Sequence, residues 1–597
     1  MKKLVALLAV FALVFSPVTL GYVVESTFSG VDGEWTTPGN WSNGVPGAGD
    51  DAIIKADVSA IGGGSGTASV LSAVFNDNAR WNADVWGITL TVGGGTGMAT
   101  FNGRSLNYYG TINGNATFNN SSYNNHGTIN GNATFNGNSY NHYGTINGSA
   151  TFNGISFNNY GTINGDMYIK SNWWSGGAEA PKGNELVIAN GKYWSGSVSG
   201  KVYDSSTVPV EVTQYTFNGN SRNNSTITGN ATFNDSSYND RGTITGDMYI
   251  KSNWWSGGAG APKGNELVIA NGKYWSGSVS GKVYDSSAVS VEITQYTFNG
   301  SSYNYYGTIN GNVTFNGSSY NHSGTINGNV IFNDSSYNRS GTINGNTTFN
   351  GSSRNVGTIN GSVVFNLTNP NAGDQAGTIN AGEAGTVSGN FRTTSGITFL
   401  GGTVSSNING TGGVTKSGAG TVTLSGTNTY TGVTRLREGV LSVSVIGDGG
   451  VAGNIGQATN AAGNLVFNGG TLRYTGATAS TNRNFTISAN KTATIEVTGA
   501  ANTLTVSGVS TATNGSLTKS GAGTLLLSGT NLYTGATNVN AGTLRVDGSI
   551  ASSSLTTVQT AGTLSGSGTT GNLTIANGGT LSPGDSPGTI TTDGNAT

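Results

Sequence analysis

Between residues 110 and 164 an eight-residue stretch of strictly alternating apolar and polar side chains recurs in each unit. In the run Thr111 to Phe118, one parity carries Ile112, Gly114, Ala116 and Phe118, and the other Thr111, Asn113, Asn115 and Thr117. A period of two with β-branched and aromatic residues predicts strands with one buried face. Glycines at 110, 127, 144 and 161 fix a step of 17, which resumes at Gly307, Gly324 and Gly341 and shortens to 16 at Gly357. Units of fixed length that are too small to bury their own apolar side must stack. Seventeen residues suffice for one turn of a β-solenoid with turns ~4.8 Å apart, and fall far short of the ~40 residues of a propeller blade.

Stacking puts like on like. One column runs Ile112, Ile129, Ile146 and Ile163, and another Phe101, Phe118, Phe135 and Phe152, both resuming after residue 300. Each buried ring or branched chain is worth ~1.5–3 kcal/mol, so these columns are the predicted core. A third column, Leu106, Tyr123, Tyr140, Phe157, Arg222 and onward, tolerates Phe, Leu and Arg. That tolerance implies packing in a partly open position, since Arg keeps its head in water. Asn113, Asn130, Asn147 and Asn164 are expected to form an amide ladder at a corner.

The array is interrupted twice by nearly one insert. Residues 166–219 return as 247–300, shifted by 81, with four differences in 54 positions. The apolar runs at 186–188, 198–203 and 210–213 predict further strands, so each insert reads as two or three larger rungs with a Trp-Trp-Ser-Gly-Gly loop. Flat aromatic faces stack on sugar rings, which makes Trp173, Trp174, Trp194, Trp254, Trp255 and Trp275 the candidate glycan contacts. The competing reading is that they plug a corner of the coil. Upstream, residues 22–100 are non-repetitive and Gly-rich, and Trp35 and Trp41 predict a cap over the open apolar end of the first rung.

Composition narrows the classes. The 597 residues include 98 Gly but 35% hydrophobic residues set in register, which excludes disorder. A net charge of −2 without basic runs makes nucleic acid a poor partner. No Cys is present, so disulfides and thiolate metal sites are excluded. Lys2 and Lys3 precede an apolar run from Leu4 to Phe15, the pattern of a signal peptide over 1–21 with cleavage after Gly21. No later run approaches the ~20 apolar residues of a spanning helix, so the mature chain is expected to be exported with no membrane span.

From residue 366 to 597 a different motif appears. Residues 415–443 (TKSGAGTVTLSGTNTYTGVTRLREGVLSV) recur at 518–546, shifted by 103. Lys416-Ser417-Gly418-Ala419-Gly420, Leu424 to Asn428, Tyr430-Thr431-Gly432 and Gly439-Val440-Leu441 carry the likeness. They resemble the autotransporter-associated β-strand repeat of exported bacterial passenger proteins, as do Gly579 to Gly588 and Asn40-Trp41 with Val45-Pro46. That resemblance implies a right-handed parallel β-helix displayed outside the cell. The whole chain is thus expected to be all-β, with a 17-residue solenoid over 101–365 continued by a passenger-type β-helix over 366–597. The terminal residues lack the alternating, aromatic-ended strands of an outer-membrane barrel, so the expectation stays open between release, an outer-membrane anchor or secretion partner, and a truncated reading frame.

Enzymatic chemistry finds little footing. Polysaccharide cleavage on a β-helix needs paired carboxylates or a carboxylate–cation cluster. Acids are nearly absent from the rungs, the three His (His126, His142, His322) fall in variable positions, and Asp166 and Asp247 read as turn residues. No P-loop, HExxH or EF-hand spacing occurs. The sequence therefore predicts a secreted or surface-displayed structural or adhesive protein with no catalytic residue, cofactor or metal. A glycan-binding module acting on extracellular polysaccharide is the alternative, and a β-helical polysaccharide-degrading enzyme the third reading.

Overall fold

The computed structural model describes residues 25–597, apart from 29–31, 36, 55–58, 62–66, 77–78, 83–88, 172–182, 205–207, 252–263, 286–289, 370–373 and 585–587. The expected signal peptide over 1–21, and Trp173, Trp174, Trp254 and Trp255, lie outside the described residues. The described residues form strands and three short 3-10 turns, with no α-helix, and the strands pair almost entirely in parallel. Contacts divide the chain into two units, Met1–Gly229 and Asn230–Thr597, each wound as a parallel β-solenoid.

In the first unit each rung has three short strands on three faces. One rung is Asn115–Phe118, Tyr123–Asn125 and Thr128–Ile129, and the next is Ala133–Phe135, Tyr140–His142 and Thr145–Ile146. The register is the expected one: Phe118 faces Phe135, Tyr123 faces Tyr140 and Ile129 faces Ile146. Phe101, Phe118, Phe135 and Phe152 are fully buried, with ring centroids 4.7–4.9 Å apart. Residues 25–101 wind in the same coil, since Glu25–Phe28 pairs with Asp51–Ile54, which pairs with Ser72–Phe75 and then Met98–Phe101. Trp35 and Trp41 sit inside it, with the Trp41 indole N–H donating to the Trp35 carbonyl oxygen.

The Tyr face inverts the usual rule. Its inward residues are Ser122 and Asn124, Ser139 and Asn141, and Ser156 and Asn158, all buried, while the aromatic rings point outward. The buried amides solve their own desolvation problem. Asn107, Asn124 and Asn141 each donate from Nδ2 to the Oδ1 of the next Asn in the column at 2.7–2.9 Å, and to a backbone carbonyl three residues on. This ladder is why the glycines recur every 17 residues: a Cβ on Gly127, Gly144 or Gly161 would collide with the amides of two successive Asn. The predicted corner ladder also exists, exposed, with Asn147 donating to Asn130 at 2.6 Å and Asn164 to Asn147 at 2.7 Å.

The second unit begins with the same rungs, and its Phe298, Phe315, Phe332, Phe349 and Phe365 repeat the buried stack at 4.8–5.2 Å. Past residue 377 strands lengthen to Ile397–Val404, Thr537–Val546 and Thr556–Gly566, and the core passes to Leu and Val. Each insert ends in a small antiparallel hairpin, Val202–Asp204 with Val210–Glu211 in the first unit and Val283–Asp285 with Val291–Glu292 in the second. Asp166 and Asp247 link successive rungs, each accepting at Oδ1 from the amide of a residue 35 positions on, Lys201 or Lys282, at 2.9 Å.

Candidate functional site

Two of the six Trp expected to contact a glycan can be placed, and both are interior. Trp194 and Trp275 are 2% and 1% exposed. Each rests edge-to-face on a buried tyrosine, Tyr215 or Tyr296, with centroids 5.3 Å apart. Their indole N–H groups donate to the carbonyl oxygens of Thr226 and Thr308. An enlarged rung needs more volume at its corner, and a Trp–Tyr pair supplies it. These two indoles are corner plugs whose faces are covered by the protein.

Among the described residues an exposed aromatic surface lies on the outside of the Tyr face. In the first unit Tyr109, His126, Tyr143 and Tyr160 form one stacked column, with centroids 4.8–5.3 Å apart. Beside it Tyr123, Tyr140 and Phe157 form a second, at 4.8 and 5.2 Å. Tyr109, Tyr143 and Tyr160 are exposed. All four residues of the first column take left-handed backbone, with φ between 52° and 58°. Such a conformation is unusual for aromatic residues, and here it turns the chain at the corner just before the glycine and projects the ring outward. The second unit repeats the motif with Tyr303, Tyr320 and Tyr337 stacked at 5.0 Å, capped by the Arg354 guanidinium 4.8 Å over the last ring. Beside that column, Tyr306 is 57% exposed.

All three His of the chain belong to these surfaces. His126 stacks in the column, His142 packs edge-on against Tyr143 at 4.6 Å, and His322 lies 5.4 Å from both Tyr305 and Tyr306. Burial, and then the neighbouring His126, push the His142 imidazole below its ordinary pKa. Both rings share the Asn125 side-chain oxygen, at 2.7 and 3.1 Å. Among the described residues no three His, Asp or Glu side chains gather as a metal ion would require.

Geometry decides what such a surface can recognise. Rings stacked along the coil axis cover each other's faces, so they present edges and hydroxyls to solvent. A sugar ring needs a free aromatic face, whereas a protein partner uses Tyr edges and hydroxyls readily. Sequence reasoning assigned the Tyr column mainly to packing and overlooked the ridge beside it. The signal was present in the residue before the repeat glycines of the first unit, Tyr109, His126, Tyr143 and Tyr160, and in Tyr306 before Gly307, whereas Ser323, Ser340 and Val356 precede Gly324, Gly341 and Gly357.

The motif residues past 414 turn inward. Lys416 and Lys519 are buried, and each ammonium donates to three backbone carbonyls within 3.0 Å: Ser417, Gly418 and Glu438, or Ser520, Gly521 and Ala541. Burial pushes both down to about 8. Gly439 and Gly542, at φ 63° and 62°, complete the cradle, where a side chain would strike neighbouring carbonyls. Tyr430 and Tyr533 are also buried, with hydroxyls bonded to Thr434 and Thr537 at 2.8 and 2.7 Å. The repeated motif is thus a folding signature.

The family model Passenger-associated-transport-repeat matches residues 414–443 and 517–546. No solved structure matches the chain. Over 177 residues the chain is 38% identical to "Adhesin BmaC autotransporter" of Brucella suis biovar 1 (strain 1330), an alignment covering 28% of this chain and 5% of that adhesin. The protein is therefore a parallel β-solenoid that carries two passenger-associated transport repeats and is similar, over part of its length, to an autotransporter adhesin.

Proposed function

We propose that the chain is an exported, surface-displayed adhesive protein whose contact surface is the Tyr and His ridge, and that it performs no catalysis. The observation that carries this reading is the ridge itself: stacked rungs hold Tyr109, His126, Tyr143 and Tyr160 in one exposed row that the fold does not need as core. Tyr is enriched where proteins meet, because it supplies apolar area and a hydroxyl at low entropic cost. The partial likeness to a protein named an adhesin supports the same reading. A coil with a repeating side suits repeated contacts outside the cell.

Expression in a Gram-negative host tests export and adhesion together. The mature chain is expected to begin near Tyr22, to be accessible to protease on intact cells, and to make those cells clump or adhere. An unprocessed cytosolic chain would defeat the export reading. Displayed protein that leaves cells non-adherent would defeat the adhesive one.

A further inference from the structure

The face that carries the exposed corner ladder is built differently from the Tyr face. In the first unit its outward residues form two ranks, paired rung by rung in register. The first rank is Thr89, Thr111, Thr128, Thr145, Thr162 and Ser197. The second is Thr91, Asn113, Asn130, Asn147, Asn164 and Ser199. In the second unit the first rank runs over seven rungs from Thr308 to Thr415 with Thr at each, and five of them, from Asn310 to Asn380, carry Asn in the second rank. These side chains are half-buried or exposed, and none is charged or aromatic. The neighbouring face lacks this uniformity, since Tyr168 in the first unit and Ile331 and Val364 in the second break its Thr column.

Both ranks are held still. Thr is β-branched and stiff at χ1. Each laddered Asn gives one of its two N–H donors to the preceding Asn, at 2.6–2.8 Å, so the second N–H keeps one direction from rung to rung. Little side-chain entropy is left to lose when an ordered partner meets this face. Along the coil the grid repeats with the rungs, which the Phe stack of the first unit sets at 4.7–4.9 Å. Across the strand the two ranks are two residues apart, or ~6.6 Å. Both repeats are close to those of the oxygen atoms on a prism face of hexagonal ice.

We infer that this Thr and Asn face is an ice-binding surface, whose ligand is the water lattice of a growing crystal. The Thr hydroxyls and the outward amide N–H groups hold waters at lattice positions, and the Thr methyls keep disordered water out from between them. A charged side chain would arrange water about itself and break the match, and the two ranks contain none. Each water bridge is weak, and binding arises because many rungs engage together. The inference stands apart from the adhesive ridge, which lies on a different face.

Thermal hysteresis and inhibition of ice recrystallisation, measured on the full chain, test it. The parent chain is expected to shape and arrest ice crystals. Thr145→Lys with Thr342→Lys puts a long charged side chain into the array of each unit, at outward half-buried positions, and should remove most of both activities with the melting temperature retained. Thr134→Lys with Thr314→Lys adds the same charge on the neighbouring face and should leave both activities unchanged, as should Tyr143→Asn on the ridge. A parent chain without effect on ice, full activity in the array variant, or an equal loss in the neighbouring-face variant would overturn the inference. Retention on crystalline chitin with no effect on ice would also overturn it, by assigning the face to a solid polysaccharide.

Discussion

Phe135→Asp is expected to cost several kcal/mol of stability. The ring is fully buried, and it is stacked between Phe118 and Phe152 at 4.9 Å on each side. Removing it forfeits ~1.5–3 kcal/mol of burial and ~0.5–1.5 kcal/mol for each aromatic pair. A carboxyl placed there has no partner, which adds its own desolvation cost. Because each rung is stabilised only by its neighbours, the loss should spread along the coil. The same substitution at Tyr143 falls on an exposed, left-handed residue where Asp is tolerated, and should cost ~1 kcal/mol or less. Denaturant titration of the two variants checks the pair, and equal losses would contradict the assignment of inside and outside.

Asn141→Ala carries the next largest expectation, although it removes only a polar group. Its amide donates to the Gly144 carbonyl oxygen and to Asn158, and accepts from Asn124. Alanine would leave three buried polar groups short of a partner, for an expected loss of about 3 kcal/mol or more. Asn147→Ala, on the exposed corner ladder, should stay within ~0.5 kcal/mol. Thermal melts of the two variants separate a buried ladder that holds the coil from one that decorates it.

The contrast marks where the sequence is readable. Alternation in Thr111 to Phe118 identified the Ile and Phe columns and their register, because there the apolar parity is the buried one. On the Tyr face the buried parity is Ser and Asn and the aromatic one faces water, so a rule that buries apolar residues chooses the wrong side. The amides tolerate burial only because stacking supplies partners from adjacent rungs, a fact invisible within one unit. Trp194 and Trp275 illustrate the converse. Aromatic chemistry alone suggested ligand contact, whereas the enlarged rung consumes both rings as filler. Lys416 was legible in principle, since Val414-Thr415-Lys416 places it on the inward parity, but an inward lysine makes sense only once three carbonyls converge on it.

The adhesive assignment is tested most directly by removing the ridge and nothing else. Tyr109, Tyr143, Tyr160 and Tyr306 are all exposed and left-handed, so Asn at the four positions keeps the backbone comfortable while deleting the rings. Adherence of cells displaying this variant should be compared with that of cells displaying equal amounts of the parent chain and of Asn147→Ala. The account predicts that the four-fold variant melts within a few degrees of the parent and loses most of its adherence, while Asn147→Ala keeps it. A correctly displayed, stable variant that adheres as well as the parent would contradict it.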